Sequence, residues 1–425
     1  MLTDEVGLAI LPAVFEWVNV VRVLFAHDIP GFHGGAERWV YQSARGLGSR
    51  RGFECHLAHT QASGLQKDEF SSAFAHSHYV RRISCWTRLV QRVKPDVVCV
   101  SNLPPEHFEA LADVAAPRVR IVHDHELSCL SGKRLFTWSG AACDRVLGRG
   151  CWACLGFVGR RHGRFQLNRL ASKQRALELT GRLDAVVVLS RYMRSELIRA
   201  GIAEDRLTVI PPGIDEPATA DAPPRGSNGI RLLFAGQVIR GKGLDLLLRA
   251  MPLLPDRCEL VVAGTGNALA KNRELARRLK ISHRVRFLGW QPAEKVERLY
   301  AEADVVVVPS RWPEPFGLVG IEAMSHSRPV VAFDVGGISE WLEHGTTGLL
   351  VSAADAVGLA NALNSLSASS PMRRQMGRAG RDAFLKKFTI DLMLDRLAAC
   401  FERVAGANSN HASQFCDRTE LTVTA

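Results

Sequence analysis

Short apolar runs alternate with longer amphipathic segments along most of the 425-residue chain. Continuous apolar strands that alternate with helices are typical of parallel sheets covered by helices on both faces. The pattern therefore predicts an α/β fold. The predicted strands are 20–26, 97–100, 119–122, 185–189, 230–235, 260–263, 285–288, 305–308 and 329–333.

The alternation is interrupted once, at Pro211-Pro212-Gly213-Ile214-Asp215 and the Pro-, Ala-, Asp- and Gly-rich residues that follow. This composition favours a linker between domains. We expect two doubly wound domains, residues 19–212 and 230–404, joined by a linker at 213–229. Parallel sheets of this kind bind ligands beyond the carboxyl ends of their strands, which places the expected site in the cleft between the domains.

The two ends of the chain lack these patterns. Residues 1–18 are apolar but interrupted by Pro12 and Glu16, and they have neither the basic start nor the cleavage site of a signal peptide. We predict a loosely ordered leader, no membrane span and a cytoplasmic protein. Residues 373–404 are predicted to be a long helical stretch, and the polar residues 405–425 a disordered tail.

The formal net charge is +11, and much of the arginine excess lies before residue 183. A basic half favours an anionic partner, with a solvated basic surface as the alternative. No nucleic-acid-binding module accompanies the charge, so nucleic acid is not expected as a partner. We expect the N-terminal domain to contact a phosphorylated ligand or, peripherally, the inner face of the membrane.

Ten cysteines without an export signal argue against a disulfide framework. Four of them, Cys129, Cys143, Cys151 and Cys154, fall in a predicted insertion at about 126–182. The Cys-x-x-Cys spacing suits zinc or a redox pair, and four thiolates can close a tetrahedral structural site. Free buried thiols are the alternative, and the 14-residue separation of Cys129 from Cys143 favours them.

Two glutamates define the strongest chemical motif. A predicted strand at 305–308 ends in a proline-rich loop, and a helix is predicted to begin near Phe316 or Gly317. Glu314 lies in the loop and Glu322 about two turns inside the helix, on the order of 12 Å along the axis. A helix N-terminus can bind a diphosphate, and flanking carboxylates can hold hydroxyl-rich groups. A surface glutamate and a helix-capping glutamate without a role are the alternative.

In this setting the Glu-x7-Glu motif resembles the retaining, metal-independent glycosyltransferases of family 4, which have the GT-B fold. The resemblance covers roughly residues 20–401. Four further motifs match those of the family in the same order: Val209 to Asp215, Ala235 to Gly243, Val262 to Gly266, and Gly336 to Glu340.

The resemblance implies roles for individual residues. Glu314 would contact the hydroxyls of the donor sugar, Glu322 the ribose, and Lys242 would neutralise the diphosphate leaving group. No metal is then required for catalysis. Other positions would contribute glycine-loop or backbone contacts to the donor: Gly264, Phe316, Gly317 and Leu318.

The sequence departs from the family pattern at Gln237, where the family usually has arginine. We consider two hypotheses. Arg240 supplies the missing positive charge, or Gln237 donates a neutral hydrogen bond at a cost to stabilisation of the leaving group.

The first domain contributes two further motifs. Gly34 and Gly35 follow the first strand, where paired glycines allow close approach of the backbone to donor phosphates or acceptor; an ordinary turn is the alternative. The sequence His123-Asp124-His125 follows strand 119–122. The resemblance places His123 at the catalytic centre, with Asp124 orienting it or meeting the acceptor.

Together these features predict a transferase that moves a sugar from a UDP- or GDP-linked donor to a glycan or lipid-linked acceptor with retention at the anomeric carbon. The expected context is biosynthesis of cell-surface polysaccharide or glycoconjugate. A GT-B-fold epimerase acting on the nucleotide sugar and a non-catalytic binding protein with the same fold are the alternatives. Gln237 is the feature that favours the non-catalytic alternative.

Overall fold

A computed structural model describes residues 20–50, 52–112, 114–136, 139–154, 156–161, 164–217 and 229–416. The predicted leader, most of the predicted linker (218–228) and residues 417–425 lie outside this part of the chain. No helix in the described part is both long enough and apolar enough to cross a membrane.

The N-terminal domain is built on a seven-stranded parallel sheet with the order β3-β2-β1-β4-β5-β8-β9, and β6 and β7 form a separate antiparallel hairpin. The strands are β1 (Val21–His27), β2 (Phe53–His59), β3 (His76–Tyr79), β4 (Val97–Val100), β5 (Arg118–Val122), β6 (Val158–Arg161), β7 (Arg164–Leu167), β8 (Ala185–Val188) and β9 (Leu207–Val209). The helices are α1 (Gly35–Gly48), α2 (Lys67–Ser71), α3 (Cys85–Val93), α4 (Pro105–Leu111), α5 (Leu170–Gly181) and α6 (Arg191–Arg199).

Both faces of this sheet are buried, which explains the unbroken apolar runs. Successive residues of β1 point to opposite faces. Val23 and Phe25 pack in one apolar cluster with Trp39 of α1, whereas Leu24 packs in another with Trp86 of α3.

The C-terminal domain repeats this architecture with a six-stranded parallel sheet of order β12-β11-β10-β13-β14-β15. Its strands are β10 (Ile230–Ala235), β11 (Cys258–Ala263), β12 (Val285–Gly289), β13 (Val305–Val308), β14 (Val330–Phe333) and β15 (Gly348–Val351). Its helices are α7 (Leu244–Ala250), α8 (Leu269–Arg278), α9 (Ala293–Glu302), α10 (Leu318–Ser325), α11 (Ala356–Ala368) and α12 (Ser370–Lys387), and the chain continues into α13 (Ile390–Cys416). The predicted α/β class is therefore confirmed.

The structure corrects the prediction for the end of the chain. The helical stretch predicted at 373–404 is two helices, because the chain turns at Phe388 and Thr389. Apolar residues of α13, among them Leu397 and Phe401, pack in the core of the N-terminal domain rather than the C-terminal one. The helix also continues to Cys416, so the predicted disordered tail is helical over 405–416.

Candidate active site

Lys242 and Glu314 form an ion pair where the C-terminal sheet faces the cleft. Glu314 follows β13 and is only 4% exposed. The ammonium Nζ of Lys242 lies 2.7 Å from Glu314 Oε1 and 3.0 Å from Oε2, and the hydroxyl of Ser310 also donates to Oε1. Two residues that are 72 positions apart in the chain therefore meet at one point.

The position of Lys242 depends on the glycine that follows it. Lys242 ends a short 3-10 turn, and Gly243 has φ 68°, a left-handed conformation that favours glycine. A β-carbon on Gly243 would lie 1.8 Å from the carbonyl oxygen of Pro309. The close contact between these two backbones sets Lys242 beside the loop that carries Glu314.

We call residues 313–316 the donor loop. Each of its four backbone carbonyls accepts a hydrogen bond from a group outside the loop. The four hydrogen bonds run from His125 Nε2 to Pro313 O (2.8 Å), from Gly337 N to Glu314 O (2.8 Å), from Ser190 Oγ to Pro315 O (2.5 Å) and from Trp341 Nε1 to Phe316 O (2.7 Å).

These carbonyl contacts also fix the directions of the amides. In a trans peptide the carbonyl and the next N–H point to opposite sides. Anchoring the carbonyls of Pro315 and Phe316 therefore fixes the N–H groups of Phe316 and Gly317 as well. The side chain of Phe316 is buried against Phe388, so Phe316 can offer only its backbone to a ligand in the cleft.

Helix α10 begins directly after the donor loop, with Gly317 at its N-cap in a left-handed conformation (φ 97°). The predicted depth of Glu322 is corrected here: it is the fifth residue of α10, so it lies about 6 Å beyond Leu318 rather than about 12 Å. The start of α10 faces the start of α1, because a β-carbon on Gly35 would lie 3.1 Å from the Leu318 side chain. Gly34 is the N-cap of α1. Two helix N-termini, whose first N–H groups have no partner within the helix, thus meet across the cleft.

Glu322 joins the two domains. Its Oε2 accepts a hydrogen bond from the buried hydroxyl of Tyr300 at 2.7 Å, and its Oε1 lies 3.3 Å from a guanidinium nitrogen of Arg38 on α1. The Tyr300 contact holds the carboxylate in place, and the more exposed Arg38 brings positive charge to the same point.

The two predicted glycine loops pack backbone against backbone. A β-carbon on Gly264 (φ 146°) would lie 1.8 Å from the carbonyl oxygen of Gly236. Gln237 and Arg240, in the first of these loops, are both exposed. The guanidinium of Arg240 lies against Gly140, where a β-carbon would be 2.8 Å from it. Arg240 thus reaches across to the N-terminal domain, and its suggested role in place of the family arginine stays a prediction.

A large cavity of about 890 Å³ lies beside this site on the N-terminal domain. His123 is in its wall, and its Nε2 lies 3.0 Å from the hydroxyl of Ser101. Asn267, from the C-terminal domain, also contributes. The other polar side chains of the wall include His27, Asp28, Glu37, Asn102, Glu106, Arg120, Asp124, Lys133, Asn168, Arg169 and Lys173.

Burial shifts the titration of two cavity residues in opposite directions. It lowers the pKa of His123 to about 3, so the imidazole is neutral at physiological pH. Burial, with repulsion from Glu126, raises the pKa of Asp124 to about 6. His123 therefore offers a neutral hydrogen-bonding group, and the charge of Asp124 changes near neutral pH.

Two residues outside the predicted set align the domains. His125 is fully buried and contacts the donor loop through its bond to Pro313 O, whereas His123 faces the cavity. Glu340 accepts hydrogen bonds from the N–H groups of Arg191 and Tyr192 at the start of α6. The sequence contained both in recognised motifs, but contacts between distant segments cannot be read from spacing alone.

The four clustered cysteines also come together. Cys129, Cys143, Cys151 and Cys154 all line one small cavity in the loop region that follows His125. Within the described ranges, no three His, Cys, Asp or Glu side chains already stand in metal-ligating geometry.

Comparison with protein families identifies the class to which this fold and site belong. A model described as Glycosyltransferase Family 4 matches residues 33–216, and one described as Glycosyl transferases group 1 matches residues 216–383. The two matches meet between the domains and together cover nearly all of both. The chain belongs to the family-4 type of glycosyltransferases.

Curated relatives agree with this assignment. The "Uncharacterized glycosyltransferase MJ1607" of Methanocaldococcus jannaschii is 41% identical over 122 residues, 28% of this chain and 31% of that protein. The D-inositol 3-phosphate glycosyltransferase of Corynebacterium diphtheriae is 35% identical over 223 residues, 48% of this chain and 52% of that protein. The chain spans about half the length, or less, of these two relatives.

A solved structure shows the same fold across nearly the whole chain. Anabaena Alr3699/HepE in complex with UDP and glucose matches with a TM-score of 0.70 and 20% identity, covering 90% of this chain and 100% of that one. The fold of two Rossmann-like domains is thus GT-B, as the sequence predicted.

Proposed function

We propose that the protein transfers a sugar from a nucleotide-diphosphate sugar to a glycan or lipid-linked acceptor, with retention at the anomeric carbon. The observation that carries this proposal is the arrangement around α10. One point of the cleft is surrounded by a buried carboxylate, a lysine, a second carboxylate and two helix N-termini. This combination suits a ligand in which a sugar, a diphosphate and a ribose follow one another.

Each group has a physical role in this reaction. The diphosphate leaves with added negative charge, which Lys242 and the N–H groups at the starts of α10 and α1 stabilise. Glu314 accepts hydrogen bonds from sugar hydroxyls, and Glu322 accepts them from the ribose. In the structure Glu314 holds the Lys242 ammonium at the cleft, where an incoming diphosphate competes for it.

Retention follows, in this proposal, from attack of the acceptor on the same face that the leaving group departs from. The departing phosphate takes the acceptor proton. His123 is neutral because of its low pKa, so it hydrogen-bonds the sugar rather than transferring a proton. No step requires a bound metal.

The large cavity beside His123 supports an acceptor that enters from the N-terminal domain. Its wall contains the basic side chains of Arg120, Lys133, Arg169 and Lys173 together with five carboxylates, so a phosphorylated or lipid-linked acceptor would bind where the basic groups lie. HepE is described in complex with UDP-glucose, so UDP-sugars are the first donors to test, followed by GDP-sugars. A role in cell-surface glycan synthesis, at the cytoplasmic side of the membrane, accords with this acceptor class.

The decisive experiment measures nucleotide release from a panel of UDP- and GDP-sugars with and without acceptors. Release that depends on the acceptor is expected, and Glu314→Gln should lower it by roughly 10²-fold or more. Glu402→Gln, which changes an exposed glutamate of α13, is the matched control and should be fully active. NMR of the product should show the anomeric configuration of the donor.

Other outcomes would identify the alternatives. Conversion of the nucleotide sugar without any acceptor would point to an epimerase. Tight nucleotide binding without turnover on any donor would point to a binding protein and would implicate Gln237. Either result would overturn the proposal.

A further inference from the structure

The cysteine cluster lies in a long connection that has little regular structure. Between β5 and α5 the described residues form only a 3-10 turn (Arg149–Cys154) and the hairpin of β6 and β7. Connections of this length with so little secondary structure are uncommon in compact domains. Cys129, Cys151 and Cys154 are buried in this connection, Cys143 is half-buried, and none is in a disulfide.

The four side chains converge on one cavity of about 10 Å³, which is room for a single small occupant. Polar partners already surround two of the sulfurs. Cys129 Sγ accepts a hydrogen bond from the N–H of Arg134 at 3.4 Å and lies 3.4 Å from the hydroxyl of Ser131. The N–H of Gly156, two residues after Cys154, contacts the Cys154 sulfur. Such hydrogen bonds can stabilise the negative charge of a metal-bound sulfur.

The electrostatics of the cavity fit a negatively charged cluster. Four thiolates around one divalent cation carry a net charge of −2, which needs nearby positive charge. Arg134 and Arg145 both line this cavity. The Arg134 side chain is almost fully buried and pairs with Glu196 of α6, which also pairs with Arg199, so the three side chains keep a net positive charge and connect the cavity to α6.

We propose that Cys129, Cys143, Cys151 and Cys154 bind one Zn²⁺ as a structural site. Tetrahedral coordination by four thiolates is a common structural zinc arrangement, and the soft ligand set selects zinc over magnesium or calcium. Because the sulfurs are not yet in ligating geometry among the described residues, the side chains must rotate toward the cavity on binding.

The site would stabilise residues that form the substrate cleft. The same connection contributes Leu127, Leu130 and Lys133 to the wall of the large cavity. It also contacts the C-terminal domain, since Gly140 lies against Arg240 and the Leu135 side chain lies near Gly241. Bound zinc would therefore stabilise one wall of the large cavity and the contacts of this connection with Arg240 and Gly241 of the C-terminal domain.

The test measures the metal directly and does not depend on any catalytic activity. The full-length protein, produced with added zinc and dialysed against a weak chelator, should retain one zinc per chain by plasma mass spectrometry. Cys151→Ser/Cys154→Ser should lose it. Cys85→Ser, which changes a half-buried cysteine outside the cluster, should keep it.

A second measurement covers the case in which the double variant does not fold. Replacement of zinc by Co²⁺ in the wild-type protein should produce thiolate-to-cobalt charge-transfer absorption and the visible bands of tetrahedral cobalt. Substoichiometric zinc in folded, fully reduced protein, with no Zn²⁺ binding in competition with a chromogenic chelator, would overturn the proposal. A Cys151–Cys154 disulfide in the purified protein would overturn it as well.

Discussion

The Lys242–Glu314 pair gives a quantitative prediction for stability. Lys242→Met leaves a carboxylate that is 4% exposed without its cation. Breaking a buried pair on one side costs roughly 3–5 kcal/mol. The Lys242 side chain is 29% exposed, so solvent screening reduces the expected cost to about 2–3 kcal/mol. Glu314→Gln keeps an acceptor for Ser310 and should cost about 1–2 kcal/mol.

The double variant isolates the pair. Lys242→Met/Glu314→Gln removes both charges, so its loss should be smaller than the sum of the single losses by about 1–2 kcal/mol. Denaturant unfolding of the four proteins, monitored by tryptophan fluorescence, measures this coupling. The coupling should fall only modestly between low and high salt, because the Glu314 carboxylate is buried while the Lys242 ammonium is partly exposed. Single losses that simply add would show that the pair does not form in solution.

Three further predictions concern the same cleft. Gly243→Ala should destabilise the protein by more than about 2 kcal/mol, because its φ of 68° and the contact with Pro309 both exclude a β-carbon; Gly48→Ala, with nothing within 4 Å, is the control for thermal melts. Because the pKa of His123 is about 3 in the folded protein, this residue gains a proton when the protein unfolds in mild acid. Between pH 7 and 5 the free energy of unfolding of the wild type should therefore fall by up to about 2 kcal/mol more than that of His123→Gln. Arg240→Ala should lower kcat, and unchanged turnover would remove Arg240 as the substitute for the family arginine.

The apolar pattern identified the buried strands and missed the polar ones. All nine predicted runs are strands in the structure. The strands β2 and β3 escaped prediction because they carry histidines and a glutamate, and β3 is an edge strand with mostly exposed side chains. The strands β9 and β15 have weaker apolar runs than the predicted four-residue strands: β9 has three residues with a threonine at its centre, and β15 begins with glycine.

The candidate site could be located from the sequence where one segment carries a motif, and not where two distant segments meet. Glu314 and Glu322 stand in a single recognisable motif, and Lys242 in another. The bond from His125 to Pro313 spans 188 positions, and nothing in either local sequence indicates it. The domain that covers α13 was not predicted for the same reason. Its apolar stripe indicates a buried helix face, but the stripe does not indicate which domain buries it.

The contacts around the donor loop show why the cleft must be treated as one unit. Two of the four carbonyl bonds of that loop come from N-terminal residues, His125 and Ser190. Arg38 of the N-terminal domain contacts Glu322, and Glu340 of the C-terminal domain accepts a hydrogen bond from the backbone at the start of α6. A loop anchored by both domains cannot keep its geometry if the domains shift relative to each other. The orientation of the amides that would bind a diphosphate therefore depends on the N-terminal domain as much as on the helix that follows the loop.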